Sequence, residues 1–342
     1  MNKLVFAGFA RLKKDSAFLI CFLGMAALGV YLPVAQYFDS LRYNTVFAPD
    51  DLVFNYTPFI CIAAAVFISL YLGTDYSDGT IRNKLMAGRT RNEIYMSNWV
   101  VCVTGALLLC LAFAVPATVI SIFLLGAAKA PAMAFVATAL LSILVAVAVT
   151  SIYVLVSMLC PNKAVASTIC LIIPMVLFVA ATVINGALME PPTNEGMVTF
   201  TENGMEIADN SVPNPAYLTG TKRAVYEFLN DFLPVNQAIQ CAGMGITNPL
   251  RFALCDLGIS LASIFAGLGL FAHIRGVCGF LSRFLAESSQ KFADVLAYLK
   301  NFWRRRWQKT AKKTLASAYV NTPWAKPFSK KACEVWSKAP RS

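Results

Sequence analysis

The residues of this chain best placed to act on another molecule lie in one polar stretch, Gly73 to Asn98, which reads GTDYSDGTIRNKLMAGRTRNEIYMSN. Arg82, Lys84, Arg89 and Arg91 give it cations, and Asp78, Thr80, Thr90 and Glu93 give it groups that fasten helix ends. Asp78 is expected to cap a short helix from Gly79 to Ala87 that places Ile81 and Leu85 on one face, with Gly88 as a left-handed terminator. Thr90 followed by Glu93 then forms a capping box for the next helix. The result is a short, charged helix held between two longer elements. The plainer alternative is a solvated loop that only retains positive charge. Elsewhere the residue types for catalysis are missing. There is no G-x-x-x-x-G-K-[ST] loop to cradle phosphates, and the ten cysteines include no C-x-x-C pair. The one histidine, His273, has no partner cluster for a metal.

The elements that must hold this stretch are membrane spans. Of 342 residues, 58% are hydrophobic and 14% charged, with a mean hydropathy of +0.61, against roughly half apolar and a quarter charged in soluble domains. A soluble enzyme or a DNA-binding protein is excluded. Six apolar runs are long enough for a hydrocarbon core that needs about 20 residues. They are residues 17–36, 53–72, 98–125, 131–159, 165–188 and 252–271. The expected fold is therefore an all-α polytopic membrane protein. Seven of the cysteines fall inside apolar runs and read as small packing residues.

Orientation follows from Lys and Arg in the loops. Lys3, Arg11, Lys13 and Lys14 precede the first span, and the Gly73–Asn98 stretch lies between the second and third, so both are expected in the cytoplasm. The loop between the first two spans sets Arg42 against Asp39, Asp50 and Asp51, which suits the outside. So does the long segment 190–250, in which six of seven acids precede Asp231. Residues 1–16 read as an interfacial amphipathic helix, with Val5, Phe9 and Leu12 on one face and Lys3, Arg11 and Lys14 opposite. A cleaved signal peptide is the competing reading, disfavoured by the length of the apolar run and by five further spans. Segment 190–250 is expected to form a small external cap. A hairpin there would turn on Asn203-Gly204, and an amphipathic helix from Lys222 to Leu233 would end at Pro234.

The charge is unevenly placed. Residues 273–342 carry 15 Lys and Arg against 3 Asp and Glu, a net of +12, while the first 272 residues net −1. The chain thus divides into a transmembrane part, 1–272, and a basic cytoplasmic tail, 273–342. In the tail, Phe292, Val295, Leu296, Leu299 and Trp303 form a helical stripe beside basic residues, which suits an anionic leaflet better than nucleic acid. Inside the spans charge is almost absent. Asp256 is the exception, a candidate pathway residue by position, with pairing to Arg251 or a headgroup as the structural alternative.

The stretch from Asp78 to Ser97 resembles the permease subunits of ABC-2 type ABC exporters, in which an acidic residue, GTIRNKL, a glycine and a basic residue lead into I-Y-x-S between spans two and three. The span count, the N-terminal helix, and Leu233-Pro234 with Gln237 before the last span are similar as well, so the resemblance covers about residues 1–272. It implies that Asp78, Gly79, Thr80, Ile81, Arg82, Lys84, Leu85, Gly88 and Arg91 form a coupling helix docking on a separate ABC ATPase subunit, which binds the ATP and Mg that this chain has no means to hold. It also implies no catalysis in this chain, a second permease copy or a paralogue alongside it, a bacterial plasma membrane location, and an antibiotic, bacteriocin-type peptide or amphiphile as cargo. The tail departs from the family pattern, in which the chain usually stops soon after the last span. An ion-coupled secondary transporter or channel, and a membrane-embedded enzyme, are the alternatives from other classes.

Overall fold

The computed structural model describes residues 1–43, 50–126, 130–194, 198–201, 204–207, 212–246 and 248–272, all within one unit, Met1–Cys278. The basic tail with its aromatic stripe, and His273, lie outside the described residues. In chain order the elements are α1 (Asn2–Leu12), α2 (Ser16–Tyr43), α3 (Asp50–Val53), α4 (Tyr56–Ser77), α5 (Thr80–Met86), α6 (Arg91–Leu125), α7 (Ala132–Leu159) and α8 (Lys163–Met189). Four strands of two to four residues follow, β1 (Thr193–Asn194), β2 (Val198–Thr201), β3 (Gly204–Ile207) and β4 (Val212–Pro213), and then α9 (Gly220–Phe232), α10 (Pro234–Ala242) and α11 (Pro249–Ala272).

Six of the described helices, α2, α4, α6, α7, α8 and α11, are long and apolar enough to cross a membrane. Helices α2, α4, α6, α8 and α11 reach past their apolar runs at one end or both, while α7 stays within 131–159. Helix α2 continues to Tyr43 and α6 starts seven residues before Asn98, because a helix pays nothing extra to add polar turns once nucleated. The six are not equivalent. The most apolar windows of α4 and α7 are 61% and 56% buried, against 22% to 33% in the other four. Helices α4 and α7 therefore form the centre, and α2, α6, α8 and α11 surround them. The outer helices expose Ile20, Leu23, Phe123, Val179 and Phe265, which face acyl chains in a bilayer.

Lipid tails are as apolar as leucine, so close packing and interhelical hydrogen bonds hold such helices together. Both are present. A methyl group added at Gly29 of α2 would sit 2.5 Å from the carbonyl oxygen of Phe113 on α6, which shows how near the two backbones run. Hydroxyls bridge the centre. Tyr153 donates to the carbonyl of Cys61 at 2.8 Å, Tyr56 and Ser142 share a hydrogen at 2.6 Å, and Trp99 donates to Ser151 at 2.9 Å. Each bond of this kind is worth about 0.6 kcal/mol in a membrane.

Helix α1 packs Leu12 into the core and rests Val5 and Phe9 against it, along the start of α6. At the other end of the bundle, β2 and β3 pair antiparallel with Thr201 opposite Gly204. The expected turn on Asn203-Gly204 is thus corrected by one residue. The ladder runs one pair further and takes in Gly204. Helix α9 matches the amphipathic helix expected there, but Pro234 does not end the ordered structure. It stands at the first helical position of α10, where its missing N–H has no partner to lose.

Candidate functional site

The polar stretch between the second and third spans is built around a residue the sequence reading passed over. Asp75 sits in the last turn of α4, 1% exposed. A carboxylate there faces the negative end of the helix dipole, so it needs cations close by. It has two. Arg11 of α1 donates to Oδ1 of Asp75 and also to the Tyr71 carbonyl, with its guanidinium 4.3 Å above the Tyr71 ring. Lys84 of α5 brings its ammonium to 3.3 Å from Oδ2. The Thr80 hydroxyl lies 2.5 Å from Oδ1 and 2.9 Å from the Asp75 carbonyl. One carboxylate thereby ties together α1, the end of α4 and α5. Arg11, expected on the polar face of α1, turns inward to do this, while Lys3, Lys13 and Lys14 remain exposed.

Helix α5 is short and its two ends are fixed by glycines. Gly79 takes φ +67, and Gly88 takes φ +79. Gly88 N–H donates to Leu85 at 3.1 Å and Arg89 N–H to Lys84 at 3.3 Å, the paired bonds of a Schellman ending. Asp78 does not cap α5. It terminates α4, its N–H bonded to Thr74, and Gly79 is the N-cap with no side-chain bond. The reason is that α4 runs to Ser77, which uses Asp78 as its own closing residue. The capping box is present, with Glu93 N–H donating to the Thr90 hydroxyl at 3.3 Å and Thr90 N–H to the Glu93 carboxylate at 3.4 Å.

The residues singled out by sequence thus fall into three groups. Ile81 is buried and Leu85 packs against the core, so both hold α5 down. Thr80 and Lys84 are engaged with Asp75. Asp78, Arg82 and Gly88 are exposed, and beside them Asn83 and Met86, which the sequence did not mark, are exposed as well, Met86 at 70%. Arg91 turns away from this surface. It donates to the Phe271 carbonyl at 3.3 Å with its guanidinium 5.7 Å from the Phe271 ring, joining the start of α6 to the last turn of α11.

The opposite end carries the second polar cluster. Arg251 lies 3.4 Å from Asp231 of α9, so the expected pairing with Asp256 is not made. Burial raises the Asp231 carboxyl above the usual range, opposed by the Arg251 guanidinium. Three side chains of α10 reach to the end of α9. Gln237 donates to the Asp231 carbonyl at 2.8 Å, Gln240 to the Asn230 carbonyl at 3.0 Å, and Asn236 to the Asn230 side chain at 2.9 Å. The two glutamine amides supply bonds that carbonyls in the last turn of α9 would otherwise lack. Asp256 is fully buried. Neither of its oxygens has a well-formed hydrogen bond among the described residues, and the polar side chain within reach is Gln237.

Among the described residues no group of three or more His, Cys, Asp or Glu side chains could hold a metal ion. An apolar groove of about 320 Å³ between α2 and α4, lined by Cys21, Gly24, Met25, Leu28, Phe59, Ile62 and Ala63, offers no polar chemistry. No family model matches the sequence, and no curated protein matches it either.

Proposed function

We propose that this multi-pass membrane protein is the permease subunit of an ABC-2 type exporter, driven by a separate ABC ATPase that binds ATP and Mg. The observation that carries the proposal is the Asp75 node. A short helix with exposed Arg82, Asn83 and Met86 is tied by Lys84 and Thr80 to a central span, and by the same carboxylate to Arg11 of α1. A load applied to the exposed side of α5 is passed directly to α4 through charge-assisted bonds, which a loop serving only to retain charge has no need of. The resemblance of Asp78 to Ser97 to the coupling segment of that family supports the same reading. On it, α1 lies along the cytoplasmic headgroups, α5 docks on the ATPase, α9 and the short ladders cap the outside, and a second copy or a paralogue completes the pathway in a bacterial plasma membrane. The cargo is an amphiphile or an antibiotic- or bacteriocin-type peptide, and this chain carries out no catalysis itself.

The test is a mild-detergent purification of the full chain with mass spectrometry of what accompanies it. A stoichiometric P-loop ATPase, lost in Arg82→Glu or Met86→Asp while the chain stays folded in the membrane, is the expected result. Purification without any ATPase overturns the proposal. The second reading is an ion-coupled transporter or channel, favoured by one observation, the buried and poorly satisfied Asp256.

A further inference from the structure

Asp256 stands two helical turns into α11, and what surrounds it decides what it can bind. Helix α4 presents the Cys61 thiol and α10 the Cys241 thiol. Helix α7 has no charged residue, and its Tyr153 hydroxyl is committed to the Cys61 carbonyl. Helix α6 has charged side chains only in its first turn. From α9 comes Asp231, already paired with Arg251, and on its own helix the titratable neighbours are Arg251 and Cys255. Neither α4, α7 nor α10 contains a lysine or arginine. Among the described residues, an ionised Asp256 would be a buried carboxylate without a cation, an arrangement that proteins avoid by neutralising the group.

The hydrogen-bond inventory points the same way. Gln237 spends an amide hydrogen on the Asp231 carbonyl at 2.8 Å. Its Oε1 is buried without a donor, and so are both oxygens of Asp256. Among the described residues three acceptor oxygens therefore lack a hydrogen, and the one hydrogen on hand is the second on the Gln237 amide. A carboxylate drawing the second amide hydrogen of Gln237 is the competing arrangement, but it leaves Oε1 unsatisfied in the protein interior. One hydrogen on the carboxyl group serves both side chains.

We propose that Asp256 is a proton-binding site, in which the neutral carboxyl donates its hydrogen to Oε1 of Gln237 and so pins α11 to the buried helix α10. The pin completes a chain of contacts. Helix α10 holds the end of α9 through Gln237 and Gln240, and α9 holds α11 through Asp231 and Arg251. Loss of the proton places an uncompensated charge beneath this arrangement and drives α11 away from α10. The site operates whether or not the partner is an ATPase, so its failure leaves the exporter reading untouched.

The experiment is infrared difference spectroscopy of the full chain in lipid across pH, comparing wild type with Asp256→Asn and Gln237→Leu. The expected result at neutral pH is a carboxylic-acid C=O band that Asp256→Asn removes and Gln237→Leu shifts by loss of its hydrogen bond. Raising the pH should abolish the band in wild type. A carboxylate band at neutral pH that Asp256→Asn removes overturns the proposal, as does an acid band that ignores Gln237→Leu or one that sodium removes at constant pH. Should Asp256→Asn fail to fold, the alkaline loss of the band in wild type and its shift in Gln237→Leu decide the matter alone.

Discussion

Asp75 and Asp256 are the same residue at the same depth of burial, 1% and 0% exposed, at opposite ends of the helical bundle, and their surroundings differ as far as two sites can. Asp75 has Arg11, Lys84 and Thr80 upon it. Asp256 has one amide side chain within reach. A charge is kept where it must hold three separate segments together, and the partners are contributed by those segments. Where no cation is contributed, the same carboxyl suits a hydrogen instead. The comparison teaches that burial alone does not say whether an acid in a span is ionic; the origin of its neighbours does.

The sharpest way to break the comparison is to replace both acids by the same amide. Asp75→Asn should destabilise the folded chain and loosen α1, because Arg11 and Lys84 lose their counter-charge. Deleting one partner of a fully buried pair costs about 3–5 kcal/mol, and the effect here should be smaller, since the Arg11 and Lys84 side chains keep 28% and 25% exposure. Thermal unfolding in detergent and hydrogen exchange of α1 report it. An Asp75→Asn protein with unchanged exchange in α1 would mean that the node holds nothing.

Gly79→Val ranks next, since a β-branched residue in the left-handed region costs on the order of 1–3 kcal/mol. The strain falls on the turn into α5, so on the exporter proposal loss of the expected ATPase partner should exceed loss of stability. Thr90→Ala removes half of the capping box and should cost about 1 kcal/mol, read as a lower thermal midpoint with Glu93→Ala adding little more. Asp256→Asn should change stability by less than any of these, because the amide can donate to Gln237 as the neutral acid does. A large loss there would reverse the contrast with Asp75.

The smallest effect belongs to Asp231. Its carboxyl is raised by burial, so the folded chain holds the proton to higher pH than the unfolded chain does. Folded stability therefore falls as pH rises from the ordinary carboxylate range to the raised one. Thermal midpoints across that window should show the slope, and Asp231→Asn should flatten it.

The spans were legible in the sequence because a run of about 20 apolar residues has few other uses. The same holds for the local devices. Thr90 with Glu93 and Gly88 after Leu85 each announce a helix end within three or four residues, and the structure has both. The Asp75 node was not legible because Arg11 and Lys84 stand 64 and 9 residues away, and no periodicity marks a partner at such a distance. What could have raised the question was an acid in the last turn of a helix, the end at which it is least welcome. Helix α10 was missed for another reason. Pro234 is read as a stop, yet proline also begins helices, and the polar Asn236 and Gln237 gave no sign that they would be buried beneath α9.

Helix α6 has 35 residues and, at 1.5 Å per residue, is about 52 Å long. Leaning at 40°, the upper limit for such helices, it would still reach about 40 Å along the membrane normal. That exceeds the roughly 30 Å of a hydrocarbon core, so it must stand clear of the apolar layer as a stiff handle. Its first turns are the part already gripped, by the capping box at Thr90, by Arg91 on Phe271, and by Tyr95 against Gly267. Any tilt of that handle would bear on the last span, because the same first turns of α6 touch α11 through Arg91 and Tyr95.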